Sequence, residues 1–207
     1  MSLVTAQDFI PSRPTLHKLA VAAQTCQGCA LYKNATQAVF GAGPRHAQVL
    51  MVGEQPGDAE DLAGLPFVGP AGKLLDKALY ECGISRETTY VTNAVKHFKW
   101  ELRGKRRLHR RPSSAEIAAC NPWLREEIKL VKPKAIVCLG VSAALTVLGK
   151  AIVLKNTRGK FIVSPFSQQT LVTVHPSSIL RAPTDGERTK AYRQFVKDLS
   201  LLTNLIR

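Results

Sequence analysis

Four short, nearly unbroken apolar runs set the strongest limit on how this chain can fold. They are Gln48–Val52 (QVLMV), Thr89–Val95 (TYVTNAV), Ala135–Leu139 (AIVCL) and Leu171–Val174 (LVTV). A strand that is apolar on both faces must be covered on both faces, which is the signature of a parallel sheet between helices. Helix-spaced segments stand between the runs. Ala71–Cys82 places Leu74, Leu75, Ala78 and Leu79 on one side, and Ser142–Leu148 is small and apolar. Ser113 with Glu116 forms a capping-box signal for a helix reaching about Val131. Glu187–Leu202 is amphipathic, with Tyr192, Phe195, Val196 and Leu199 inward. Thr15–Gln24 is a further short helix candidate and Phe161–Val163 a further strand candidate. Alternating strands and helices therefore predict an α/β fold in a single domain spanning 1–207.

In such sheets, sites form where loops leave the carboxyl ends of the strands. Three loops fall there: Gly53–Gly57 (GEQPG), the basic segment Lys96–Arg111, and His175–Arg181. The sequence thus predicts that three distant segments meet at one rim.

Charge narrows the partner. The net charge is +14, from 29 Lys plus Arg against 15 Asp plus Glu, which points to a polyanion such as nucleic acid. No apolar run reaches membrane-spanning length and no long basic amphipathic helix suggests a membrane surface. Met1 to Arg13 lacks the layout of a signal peptide, so a cytoplasmic protein, nucleoid-associated when on DNA, is expected. The segment 96–111 holds eight Lys or Arg against one acid, Glu101, with Phe98 and Trp100 interleaved. That mixture suits a nucleic-acid surface, although a solvated loop has the same composition. Six phosphate contacts from it would give log K against log salt a slope of about −4 to −5.

Of the five cysteines, Cys26 and Cys29 form a C-x-x-C pair able to chelate one metal centre. Cys120 and Cys138 are candidates to complete a Cys₄ site for iron–sulfur or zinc, or are simply small buried residues. Cys82 ends a core-facing helix and suits the latter role.

Taken together, these motifs resemble the uracil-DNA glycosylase superfamily, and family four in particular. The resemblance rests on Cys26-x-x-Cys29, Gly53-Glu54-Gln55-Pro56-Gly57, Leu65-Pro66-Phe67-Val68-Gly69-Pro70-Ala71-Gly72, Tyr90-Val91-Thr92-Asn93, Cys120, Cys138 and His175-Pro176-Ser177-Ser178-Ile179-Leu180-Arg181. It implies a three-layer α/β/α sandwich around a four-stranded parallel sheet, and a [4Fe–4S] cluster on Cys26, Cys29, Cys120 and Cys138. It also implies uracil-containing DNA as partner, single-stranded DNA favoured, free uracil as product, and a monomer. Two departures from ordinary family-four members stand out: Gln55 replaces the usual Ala or Gly, and Arg103–His109 looks like an insertion. Both resemble the X-type enzymes, whose loop reads Lys-Arg-Arg-Ile-His and whose loop histidine becomes joined to the deoxyribose carbon that lost its base. Here Leu108 stands in the Ile position.

The resemblance assigns roles that the residue chemistry can support. Asn93 can give and take hydrogen bonds at a uracil edge, and Phe67 can stack on a flipped base; a turn former and a core ring are the structural alternatives. Glu54 can stabilise positive charge growing on the sugar. Gln55 and Asp58 are expected near the base, and Glu60 near the uracil C5 edge, where it would exclude thymine. His175 is expected to donate to a uracil carbonyl. Lys105, Arg106, Arg107, Arg110, Ser177 and Arg181 are expected to hold DNA. His109 is the expected nucleophile: Arg107, Arg110 and Arg111 should keep it neutral, and neutral imidazole attacks carbocations. Positioned at the sugar, its effective molarity of about 10⁵ M would outcompete water. A conventional turnover glycosylase and a non-catalytic iron–sulfur DNA-binding module are the alternatives.

Overall fold

The computed structural model describes residues 4–206; residues 1–3, part of the N-terminal stretch read above, and Arg207 lie outside the described residues. The four apolar runs become β1 (Val49–Gly53), β2 (Thr89–Asn93), β5 (Ala135–Leu139) and β7 (Thr170–Thr173). They pair in parallel in the order β2-β1-β5-β7. A short strand β6 (Phe161–Ile162) adds an antiparallel edge beside β7, so the sheet has five strands rather than four.

Alternation along each strand sends successive side chains to opposite faces. Met51, Val91, Val137 and Leu171 pack with Leu75 and Leu79 of α3 (Pro70–Glu81) and with Phe195 and Leu199 of α8 (Asp185–Ser200). On the other face, Leu50, Val52, Ile136 and Val172 meet Leu124 and Ile128 of α4 (Ser114–Val131) and Ala143 and Val147 of α5 (Val141–Leu148). This is the expected three-layer sandwich. The Ser113–Glu116 capping box forms as read, with each side chain bonded to the other's backbone N–H. Shorter helices α1 (Leu16–Ala23), α2 (Asp58–Ala63), α6 (Leu154–Thr157) and α7 (Pro176–Leu180) complete the chain. Among the described residues, no helix is long and apolar enough to cross a membrane.

The basic segment 96–111 is not a loop. Trp100–Arg103 (β3) and Arg106–His109 (β4) form an antiparallel hairpin separate from the main sheet, with Trp100 opposite His109. Its first residues belong to the core. Lys96 is 1% exposed and ion-paired with the buried Glu127, which also accepts from Tyr90 and Thr92. Phe98 is likewise buried. Neither residue is available to nucleic acid, which corrects that part of the compositional reading.

Candidate active site

A cavity of about 730 Å³ opens at the carboxyl ends of the parallel strands. Its lining draws on all three loops, through Glu54, His109 and His175 among others. The predicted meeting of three distant segments is what the structure shows. The reason is topological: β1, β2, β5 and β7 all point the same way, so the residues after each emerge at one rim.

Glu54 follows β1 directly. Its carboxylate accepts a hydrogen bond from the Ser142 hydroxyl, lies 3.5 Å from His109 Nε2 and lies 3.8 Å from Arg111 Nε. Ser142 and Arg111 were not among the expected site residues. The Gly140-Val141-Ser142 turn follows an apolar strand just as the other site loops do, and that was the available signal.

Asn93 ends β2 and is nearly fully buried at the cavity wall. Among the described residues its carboxamide has no hydrogen-bond partner, which leaves it free for a ligand edge. Gly53 makes room for it: a Cβ there would fall 2.3 Å from Asn93 Oδ1 and 2.8 Å from the Phe67 ring. Phe67 holds a left-handed backbone (φ 58°), a conformation costing roughly 1–3 kcal/mol that persists only where the surrounding structure over-determines it. Gly72 sits against its carbonyl, where a Cβ would clash at 1.7 Å. The Phe67 ring lies near-parallel to the His175 ring, with centroids 6.1 Å apart.

His175 caps α7. Its Nδ1 accepts from the Ser177 backbone N–H at 3.2 Å and meets the Ser177 hydroxyl at 2.8 Å. Burial first, then the charges of Arg181 and His109, push its pKa down to about 4. The ring is therefore neutral near pH 7. With Nδ1 accepting, the proton sits on Nε2, which becomes a hydrogen-bond donor. Ser177 thus orients His175 in addition to any contact with phosphate.

His109 ends β4, with its side chain half-exposed. Its pKa is also lowered, by burial first, against the opposing pull of Glu54 and with help from Arg181. The expected repulsion from Arg107, Arg110 and Arg111 is not the cause. Arg107 instead ties the hairpin down: it bonds Asp58 at 2.6 Å and the fully buried Asp61 at 2.6 Å, and lies over the rings of Phe98 and Trp100. Arg110 pairs with Glu101. Lys105 and Arg106 are exposed at the hairpin tip, and Arg181 is exposed at the cavity edge.

Three residues expected near the base have their side chains engaged within the protein. Asp58 serves Arg107. Glu60 lines the cavity, but its carboxylate accepts the backbone N–H groups of Gly57 (3.0 Å) and Gly69 (2.7 Å), holding two site loops together. The Gln55 carboxamide is bonded to the hairpin, through Lys99 and Arg110.

The four-cysteine set does not assemble. Cys26 and Cys120 share an apolar cluster with Trp123 and Phe40, and Cys29 packs against it. Trp123 Nε1 donates to Cys26 Sγ at 3.4 Å and the Lys96 N–H to Cys120 Sγ at 3.3 Å. Such N–H···S contacts suit thiolates that bind iron. Cys138, however, stands mid-strand in β5, fully buried in the other apolar layer with Leu50 and Val52. Among the described residues, no three His, Cys, Asp or Glu side chains converge to hold a metal ion. Burial raises the thiol pKa of Cys120 to about 12. Cys82 donates to the Val196 carbonyl at the end of α3.

Comparison with known proteins places this geometry in context. The sequence profile of the uracil DNA glycosylase superfamily matches residues 40–200. The type-4 uracil-DNA glycosylase of Pyrobaculum aerophilum is 35% identical over 194 residues, covering 90% of this chain and 92% of its own. That of Thermotoga maritima is 38% identical over 157 residues, covering 75% and 78%. A type-5 uracil-DNA glycosylase of Pyrobaculum aerophilum is 30% identical over 156 residues, covering 66% and 64%.

Proposed function

The chain belongs to the uracil-DNA glycosylase superfamily, and on that premise we propose that it excises uracil from DNA and captures the resulting sugar on His109. The observation that carries the capture reading is the 3.5 Å approach of His109 Nε2 to Glu54 Oε1 across one cavity.

The uracil must first leave the stack, at a cost of a few kcal/mol. The cavity offers a stacking ring in Phe67 and an unengaged carboxamide in Asn93. Cleavage breaks the bond between uracil N1 and C1′. The electron pair leaves with uracil, and positive charge develops on the sugar. His175, neutral and protonated on Nε2, donates toward the uracil carbonyl that gains negative charge; Glu54 faces the cation. Two fates remain for C1′. Water can add and lose a proton, giving a free abasic site. Alternatively an imidazole nitrogen of His109 bonds to C1′, and the ring proton passes to solvent. Proximity favours the second fate, because a group held at reacting distance acts at an effective concentration far above that of water.

Incubating the protein with uracil-containing single-stranded DNA is expected to give a denaturant-stable protein–DNA band, together with free uracil. Uracil release with free abasic DNA and no such band would leave the conventional turnover reading. The type-4 names of the relatives favour that second reading. Absence of uracil release would leave only a DNA-binding module.

An iron–sulfur cluster belongs to the same proposal, with Cys26, Cys29 and Cys120 as the thiols that share a layer. A [4Fe–4S] cluster would supply a structural cross-link there, and no chemical step is assigned to it. Iron analysis is expected to show loss of metal in Cys120→Ala and retention in Cys138→Ala. Equal loss in both would restore Cys138 to the ligand set.

A further inference from the structure

Two carboxylates line the cavity, Glu54 and Glu60. Glu60 is engaged by backbone N–H groups, whereas Glu54 takes a side-chain donor from another loop of the rim. That donor is Ser142, the second residue of α5. The backbone of Glu54 is fixed on its other side, where its carbonyl accepts from the Val95 N–H at 3.0 Å. Val95 follows β2 and Ser142 follows β5, the two strands that flank β1. The Ser142 hydroxyl donates to Glu54 Oε2, and Oε1 is left turned to His109 Nε2 at 3.5 Å.

The fold itself has no use for this hydroxyl. A serine near the start of a helix commonly bonds the helix backbone. Here Gly140 takes the capping position, α5 has no side-chain cap bond, and the Ser142 hydroxyl has Glu54 as its sole partner among the described residues. A hydroxyl carries one proton, and that proton is committed to Glu54. Ser142 lines the cavity yet is only 3% exposed, which leaves little surface for water to compete. The carboxylate also meets α5 in its first turn, the positive end of the helix dipole. The turn before α5 is shaped to bring the two together. Gly140 has φ 93°, and a Cβ on it would come within 3.3 Å of His175 Cβ. Arg111 approaches the same Oε2, but at 3.8 Å and from an exposed position.

We propose that Ser142 is a positioning residue for Glu54, holding one carboxylate oxygen on α5 so that the other faces the place where the sugar cation forms. The effect on cleavage rests on the uracil-excision reading given under Proposed function; the hold on the carboxylate does not. A carboxylate turns readily about its last bond. Without the hydroxyl, its charge faces the sugar for only part of the time.

The test compares wild type, Ser142→Ala and Ser142→Thr, with Ser142→Ala made also in a Glu54→Gln background. The first measurement is single-turnover uracil release from uracil-containing single-stranded DNA. Ser142→Ala is expected to lower the maximal rate roughly ten- to a hundredfold, the range of a hydrogen bond to a charged group, and to leave the half-saturating DNA concentration within about twofold. Ser142→Thr keeps the hydroxyl and is expected to recover most of the rate. In Glu54→Gln, Ser142→Ala is expected to cost less than about threefold, because the carboxylate it positions is gone. The second measurement is the NMR titration of His109, which faces Glu54. Its midpoint is expected to move in Ser142→Ala and to stay unmoved by the same change in Glu54→Gln. An unchanged maximal rate in Ser142→Ala would overturn the proposal. So would an equal loss in both backgrounds, which marks a purely structural role. If thermal melting shows that Ser142→Thr does not fold, the two backgrounds of Ser142→Ala decide. If wild type releases no uracil, the uracil-excision reading fails on its own. The His109 midpoint then judges the hold: a shift in Ser142→Ala upholds it, and no shift rejects it.

Discussion

The two walls of the cavity are held by different forces. Glu54, Asn93 and His175 stand at the ends of strands whose residues are buried throughout, β1 and β2 being fully enclosed. His109 stands on a hairpin whose residues are mostly exposed. An isolated two-stranded hairpin is marginal in water. This one is fixed by polar attachments: Gln55 at its open end, Arg107 to Asp58 and Asp61, and the Trp100 indole to Asn34. Burial of apolar area contributes about 25 cal/mol per Å², whereas each such hydrogen bond contributes only about 1 kcal/mol net. The sheet wall is therefore rigid by default, and the hairpin wall is rigid only while its latches hold. Chemistry that needs both walls can lose one without the other.

Substitutions at the proposed reacting groups should separate the walls most sharply. Glu54→Gln is expected to lower uracil release roughly 10²- to 10³-fold and to take the adduct down with it. His109→Ala is expected to abolish the adduct while uracil release stays within a few fold. A uracil-release assay beside a denaturing gel checks both, and loss of uracil release in His109→Ala would place the hairpin in the cleavage step itself.

Removing an anchor comes next in size. Arg107→Ala leaves the buried Asp61 with its Thr36 bonds but without its cation. Stability is expected to fall by roughly 1–3 kcal/mol in urea unfolding. The adduct yield should fall with it, while uracil release per folded molecule holds. Equal losses of both activities would mean that the anchor supports the sheet wall as well.

Lowering the pH should expose a milder difference. Protonation removes the imidazole lone pair, so capture requires neutral His109. Burial keeps its pKa below the usual value of about 6.5, while Glu54 opposes that shift. His175 faces Arg181 and is pushed further, to about 4. Adduct per uracil released is thus expected to be flat from pH 8 to about 6.5 and to decline only below that. His175 should remain neutral through most of the same window. A decline already complete at pH 7 would show that His109 is held protonated by Glu54.

The smallest effect concerns salt. With Lys96 buried and Arg107, Arg110 and Arg111 beside carboxylates, the exposed cations of segment 96–111 outside ion pairs, among the described residues, are Arg103, Lys105 and Arg106 on the hairpin, with Arg181 beyond it. Four phosphate contacts predict a log–log salt slope of about −3 to −4, shallower than the composition of the segment suggests. A slope of −5 or steeper in DNA binding would mean that the ion-paired arginines swing out to phosphate.

The parallel sheet, its flanking helices and the rim where the loops meet were legible from local pattern. Apolar runs of strand length cannot stay in water, and a capping box starts a helix through bonds between near neighbours. That Glu54, Asn93 and His175 reach the cavity was legible for the same reason, since each stands at or just after a strand end. The hairpin's inner life was not. Composition made Lys96, Phe98 and Arg107 a nucleic-acid surface, and the structure turned them into a core ion pair, a core ring and an anchor.

What the amino-acid order fixed by itself was which segments become strands and helices, and hence which residues arrive at the strand ends. What only tertiary structure decided was which partner each polar side chain meets. Cys138 is a thiol like Cys120, but strand alternation sends it into the opposite layer. Gln55 is next to Glu54, yet its amide is claimed by carbonyls more than forty residues away. Hydrogen bonds and ligand sets depend on ångström-scale distances between remote segments, and those distances exist only once the layers have packed.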